Sequence, residues 1–143
     1  MKVLFVCYAN VGRSQVSQVY FSQLSRHESS SAGMGVDAAI ARSNAPGRRL
    51  ADTANPRSAR FIQAEFGVDI FQRERVQLTS QLIDNADLAI IIHEKKDWPD
   101  YLQESDKVIF WDIEDTPGVD DNGAHDIWRR VKLRVEELVR EIG

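Results

Sequence analysis

Apolar residues follow two rhythms along the chain. Three runs, at residues 2–7 (KVLFVC), 87–93 (DLAIIIH) and 107–111 (KVIFW), are continuous at their centres, the latter two bounded by charge. A run without polar alternation suits a strand buried on both faces, as at the centre of a parallel sheet. Elsewhere the spacing is helical: Val16, Val19, Tyr20 and Leu24 predict an amphipathic helix from Ser14 to just before the serine cluster at 29–31. Ile127, Val131, Val135, Leu138 and Ile142 predict a closing helix that stops at Gly143. Pro56 suits the first turn of a helix running to Phe66, with Gly67 as its stop. Thr79 suits the cap of a short helix over 80–85.

Strands alternating with helices predict an α/β fold: a single domain over 1–143, a four-stranded parallel sheet with helices on both faces, and ligands bound beyond the carboxyl ends of the strands. Two stretches fit less well. The strand leading into Ser31-Ala32-Gly33 is weakly signalled, because Glu28 and three serines are poor strand formers. Residues 34–55, rich in Ala, Arg, Gly and Asn with Pro46 inside, read as a long loop with a helical turn. Loops of that length in compact domains are often functional.

Composition narrows the partners. The 143 residues, 43% apolar and 28% charged, are enough for a substantial core. A net charge of −4 with dispersed Lys and Arg gives no reason to expect nucleic acid. No run approaches membrane-spanning length, and the amino-terminal apolar stretch is shorter than a signal peptide's. One cysteine cannot form an internal disulfide, which suits a reducing compartment. The expectation is a soluble cytoplasmic protein with no membrane partner.

That cysteine carries the chemistry. Cys7 ends the first apolar run, and five residues separate it from Arg13, which Ser14 follows. A loop of this length can turn its backbone N–H groups inward as a nest for a tetrahedral oxyanion, and a helix starting near Ser14 adds free N–H groups and its positive dipole end. The same field favours the thiolate, the nucleophilic form of cysteine. The planar fork of Arg13 can hold two oxyanion oxygens at once. Gly12 permits close approach, and Asn10 tolerates the left-handed conformation. A lone cysteine at a strand end is ordinarily a small buried hydrophobe. Arg and Ser falling at these offsets by accident has a chance on the order of one in a few hundred at average residue usage.

The strand, the Cys7-x-x-Asn10-x-x-Arg13-Ser14 loop and the following helix resemble the low-molecular-weight protein tyrosine phosphatases and the arsenate reductases of the same flavodoxin-like, phosphatase I type fold. Ser31-Ala32-Gly33, Gly67-Val68-Asp69, Leu78-Thr79, Ala86-Asp87-Leu88 and Trp111 ahead of Asp115 match in order, so the resemblance covers nearly the whole chain. It implies a phosphatase acting on phosphotyrosine proteins or small aryl phosphates through a phosphocysteine on Cys7, without a cofactor. Tyr8, Ala9, Asn10, Val11, Gly12, Arg13 and Ser14 would bind the phosphate, Asn10 and Ser31 would brace the loop, and Ser14 would ease departure of the sulfur. Arg73 occupies the place of a bracing histidine. Asp115 matches the family's general acid, but Thr116 intervenes before Pro117 where the family has Asp-Pro, so Asp112 and Glu114 stay open as alternatives.

Other residues add less. His93 and His125 fall in no metal-ligand spacing with Cys7, and no metal is implied. Trp98 and Trp128 read as packing residues, while Tyr8 has two readings, stacking on an aryl substrate or packing outward. The aromatic pair that often follows the acid is replaced by Thr116-Pro117-Gly118, so phosphatase chemistry is better supported than phosphotyrosine specificity. Two alternative functions stand beside it. Arg13-Ser14-Gln15 resembles the reductase form of the motif, but two further cysteines are missing, which leaves only arsenate reduction with an external thiol partner. The Asp-Thr-Pro departure favours a noncatalytic phosphate or phosphopeptide binder. A phosphocysteine carrier is disfavoured by Arg13.

Overall fold

The structure, a computed structural model, describes residues 1–42, 47–53 and 55–143. Pro46, expected inside the long loop, lies outside the described residues. Strands β1 (Lys2–Cys7), β2 (Glu28–Gly33), β3 (Leu88–Ile91) and β4 (Val108–Phe110) form a four-stranded sheet in the order β2-β1-β3-β4. All three pairings are parallel. The helices are α1 (Arg13–Leu24), α2 (Val36–Arg42), α3 (Arg57–Phe66), α4 (Ser80–Asn85), α5 (Asp100–Gln103) and α6 (Asp121–Ile142).

Successive side chains of a strand face opposite ways, and β1 feeds two cores. Val3 and Phe5 join Ile90 and residues of α1, α3 and α6 on one face. Leu4 and Val6 join Ala89, Ile91 and residues of α4 and α5 on the other. With β1 and β3 buried on both faces, their unbroken apolar runs are what a central parallel strand requires. Thr79 caps α4 by accepting from the Leu82 N–H, and Gly67 ends α3 at φ 68°, where a side chain would be strained. No helix among the described residues is long and apolar enough to cross a membrane.

Three expectations are corrected. Helix α1 is buried rather than amphipathic: Leu24 is exposed, while Ser14, Gln15 and Ser17 are inside with Val16, Val19 and Phe21. Ser14 and Gln15 face inward because Asn10 of the loop after Cys7 takes up their hydrogen bonds, and Ser17 donates to the Arg13 carbonyl of its own helix. Residues 34–55 hold the seven-residue α2 and a 3-10 turn at Leu50–Asp52, where the fully buried Leu50 anchors the segment. The strands at 87–93 and 107–111 are shorter than their apolar runs, because the chain turns away where the binding crevice begins.

From β1 the chain passes to β2 on one side and later to β3 on the other. The carboxyl end of β1 therefore lies at the switch of strand order, where open α/β sheets form their ligand crevice. Cys7 is the last residue of that strand.

Candidate active site

The loop after Cys7 curls back onto α1. Asn10 takes the left-handed conformation at φ 55° and is fully buried. Its side-chain Nδ2 donates to Ser14 Oγ at 2.8 Å, and its Oδ1 accepts from the Val76 N–H at 2.9 Å. Ser14 Oγ in turn lies 3.0 Å from Cys7 Sγ. Because the serine oxygen already accepts from Asn10, its own proton is free to point at sulfur, the orientation an anionic sulfur needs. Gln15 Nε2 donates to the Asn10 carbonyl at 3.1 Å, and Ser58 Oγ donates to the Val11 carbonyl at 2.6 Å.

Two glycines let β2 and its following turn lie against this loop. A Cβ on Gly33 would come within 2.4 Å of the Tyr8 carbonyl oxygen and 2.8 Å of the Asn10 nitrogen. One on Gly35 would meet the Tyr8 ring at 2.3 Å. Tyr8 consequently lies over Gly35, packs on His93 at 5.1 Å between ring centroids, and accepts from Arg42 Nη2 at 3.1 Å. It packs away from the Cys7 cavity, the second of its two readings.

Arg13 is buried at the head of α1, and Gly12 before it gives the helix no side-chain cap. The first N–H groups of the helix are therefore open to an anion. Arg13 Nη1 donates to the carbonyls of Ile92 at 2.7 Å and Ile113 at 3.1 Å. Its Nη2 lies 3.2 Å from Asp115 Oδ2 and 3.4 Å from His93 Nδ1. Arg13 Nε is buried and has no hydrogen-bond partner among the described residues. Such a group costs about 1–3 kcal/mol unless a ligand satisfies it.

A cavity of about 460 Å³ opens over these groups, and Cys7, Arg13, Arg57, Asp115 and Trp128 are among its lining residues. Trp128 packs against Phe61 as expected, yet its buried Nε1 also lacks a partner among the described residues. Asp115 is half exposed and the other two acid candidates face elsewhere: Glu114 pairs with Arg130 at 2.9 Å, and Asp112 shares a separate depression with Glu114 and Arg134. Among the described residues no cluster of His, Cys, Asp and Glu is arranged to hold a metal.

Two of the expected braces sit differently. Ser31 stands on β2 opposite Phe5, and its hydroxyl makes no hydrogen bond to the loop among the described residues. Arg73 acts at one remove, its Nη1 donating to Gln15 Oε1 and Gln18 Oε1, each at 3.2 Å. The direct contact comes from Arg75, whose Nε donates to the Ala9 carbonyl at 3.1 Å. Burial pulls the Arg75 guanidinium below its ordinary range and neighbouring Arg48 adds to this, while Cys7 opposes it. His93 is a second residue missed in the sequence. Its Nε2 lies 2.6 Å from Asp97 Oδ2, so one tautomer donates to Asp97 through Nε2–H and accepts from Arg13 at Nδ1. The available signal was its place just after β3, on the ligand side of the sheet. Arg75 carried no local signal.

No family model matches the chain, and no curated protein does. Solved structures match over its whole length. Vibrio vulnificus Wzb, solved with benzylphosphonate, aligns over 99% of this chain and 98% of its own at 18% identity, with a TM-score of 0.78. A low-molecular-weight protein tyrosine phosphatase from T. tengcongensis aligns over 99% of both chains at 20% identity, TM-score 0.74. The YwlE arginine phosphatase of Geobacillus stearothermophilus covers 99% of this chain and 92% of its own at 18% identity, TM-score 0.74. The chain thus has the fold of the low-molecular-weight protein tyrosine phosphatases.

Proposed function

We propose that the protein is a cysteine-dependent phosphatase that hydrolyses phosphotyrosine or small aryl phosphate monoesters through a phosphocysteine. The observation that carries this reading is Arg13 Nε, a buried donor without a partner among the described residues, beside Cys7 at the uncapped start of α1. An oxyanion oxygen accepting from Nε would satisfy it, and the α1 N–H groups would take the other oxygens.

In the first step the Cys7 sulfur attacks phosphorus and the bond to the leaving oxygen breaks. Asp115 gives that oxygen a proton. In the second step the Asp115 carboxylate takes a proton from water, the water oxygen attacks phosphorus, and the S–P bond breaks to return the thiolate and orthophosphate. The Ser14 hydroxyl, 3.0 Å from sulfur, stabilises the departing thiolate. The loop N–H groups and Arg13 hold the equatorial oxygens throughout. Asp115 is supported over Asp112 and Glu114 because it alone of the three lines the Cys7 cavity and contacts Arg13. A reducing cytoplasm would keep the single thiol competent.

Hydrolysis of p-nitrophenyl phosphate by the wild type and Cys7→Ser, with vanadate as competitor, tests the reading. Vanadate-sensitive turnover that Cys7→Ser abolishes is the expected result. Anion binding with no turnover at any pH would replace it with a binding role, or with arsenate reduction by an external thiol. Phosphotyrosine peptides and phosphoarginine belong in the substrate panel, since similar folds carry both specificities in their names.

A further inference from the structure

Asp115 lies in a segment without regular secondary structure, and Gly118 at φ 78° bends the chain just beyond it. A general acid must nonetheless be held to a fraction of an ångström over the leaving oxygen. Among the described residues, the backbone hydrogen bond that closes the turn runs from the Val119 N–H to the Thr116 carbonyl at 3.0 Å. The Asp115 carboxylate itself accepts from the Thr116 N–H at 2.8 Å and meets Arg13 Nη2 at 3.2 Å, while the backbone of the turn is held from outside by a second side chain. Arg57 Nη2 donates to the Thr116 carbonyl at 2.7 Å, and Arg57 Nη1 donates to the Val119 carbonyl at 2.6 Å and approaches Asp121 Oδ1 at 3.3 Å. One guanidinium thus grips both ends of the turn that begins next to Asp115. The adjacent residue, Ser58, donates to the Val11 carbonyl of the anion loop at 2.6 Å.

We propose that Arg57 is the positioning residue for Asp115, and that the Arg57-Ser58 pair at the start of α3 sets the acid's place relative to Cys7. The proposal rests on the phosphatase reading and adds a determinant of leaving-group protonation. It also accounts for Thr116 between Asp115 and Pro117. The proline that would stiffen the backbone directly after the acid is displaced by one residue, and an external clamp on the Thr116 carbonyl restrains the same peptide unit. Lysine would serve less well, because one ammonium lacks the fork that reaches two carbonyls at once.

The test compares Arg57→Ala and Arg57→Lys with wild type on p-nitrophenyl phosphate, whose leaving group needs little protonation, and on phenyl phosphate, which needs it strongly. Displacing an acid by about 1 Å costs on the order of a hundredfold. Arg57→Ala is expected to lose about tenfold to a hundredfold in kcat on phenyl phosphate and several-fold less on p-nitrophenyl phosphate. Vanadate affinity is expected to stay at the wild-type level, and Arg57→Lys to recover part of the loss with the same substrate bias. If the alanine chain does not fold, the lysine variant is read for that bias. Equal losses on both substrates, or vanadate binding that falls in parallel, would make Arg57 merely structural and overturn the proposal. Wild-type turnover with an unchanged substrate ratio in the variants sinks the positioning role and leaves the phosphatase intact. A wild type that turns over neither substrate sinks the phosphatase reading first.

Discussion

Replacing Asn10 separates two things that the residue does. Its side chain makes two hydrogen bonds, to Ser14 Oγ and from the Val76 N–H, and its backbone sits at φ 55°. Asn10→Ala removes both bonds, at about 1 kcal/mol each, and puts a Cβ where the left-handed conformation costs roughly 1–2 kcal/mol. The alanine variant should therefore lose about 3–4 kcal/mol. Asn10→Gly loses the same two bonds and escapes the steric term, but it adds roughly 0.4–1 kcal/mol of chain entropy in the unfolded state. Glycine should come out more stable than alanine by about 0.5–1 kcal/mol. At roughly 4 °C per kcal/mol for a domain of this size, the alanine variant melts some 12–16 °C below wild type and the glycine variant about 2–4 °C above the alanine one. Urea unfolding at neutral pH with a shared slope gives the free energies, and vanadate titration reads the loop. Alanine equal to or more stable than glycine would refute the backbone half of the reasoning. A total loss under about 1 kcal/mol would refute the bracing half.

Other perturbations probe separate contacts. Gly33→Ala forces a Cβ to within 2.4 Å of a backbone oxygen, so calorimetry should give a loss of about 1–3 kcal/mol or more together with weakened vanadate binding; wild-type behaviour in both would contradict the packing described. Arg13→Ala removes the charge-assisted bond from Nε to a bound oxyanion, at about 1.5–3 kcal/mol, so vanadate affinity measured by isothermal titration should fall about tenfold to a hundredfold. Burial raises the Tyr20 phenol above its ordinary value of 10.0, with Glu65 adding to the shift. The folded value exceeds the unfolded one, so this contribution to stability is complete below that pH and disappears as pH climbs through the folded value. Tyr20→Phe should flatten the alkaline decline in urea stability, and a decline that persists unchanged would assign it to another group.

The readable part of the molecule was the part written locally. Val3 to Val6 have no polar partner within reach in sequence, so only burial on both faces suits them, and Cys7 follows at the crevice end. Cys7, Asn10, Arg13 and Ser14 lie within one loop and helix start, where spacing alone restricts geometry. Strand β2 was faint because it is an edge strand whose serines meet solvent at one end and β1 at the other. Helix α1 misled for the opposite reason: its serines and glutamine are polar yet internal, so polarity did not mark the outer face. Arg57 and Arg75 reach the site from distant segments and act mostly on backbone carbonyls, which carry no sequence signature, while His93 pairs with the Asp97 and Arg13 side chains. The choice among Asp112, Glu114 and Asp115 depended on which way a bend after β4 turned each side chain.

Arg13 bonds to carbonyls 79 and 100 positions away, directly after β3 and three residues past β4. The anion loop is local, but its cation is seated only after the far half of the chain has arrived. A growing chain that has made Cys7 and its loop carries a thiol beside an unseated arginine, and copies that fail to dock β4 lack the Ile113 contact to Arg13. An anion that binds only the fully docked chain, such as phosphate or vanadate, would draw the population toward it by RT ln(1 + [L]/Kd). On the phosphatase reading, inorganic phosphate in the surrounding medium becomes a folding aid as well as a product.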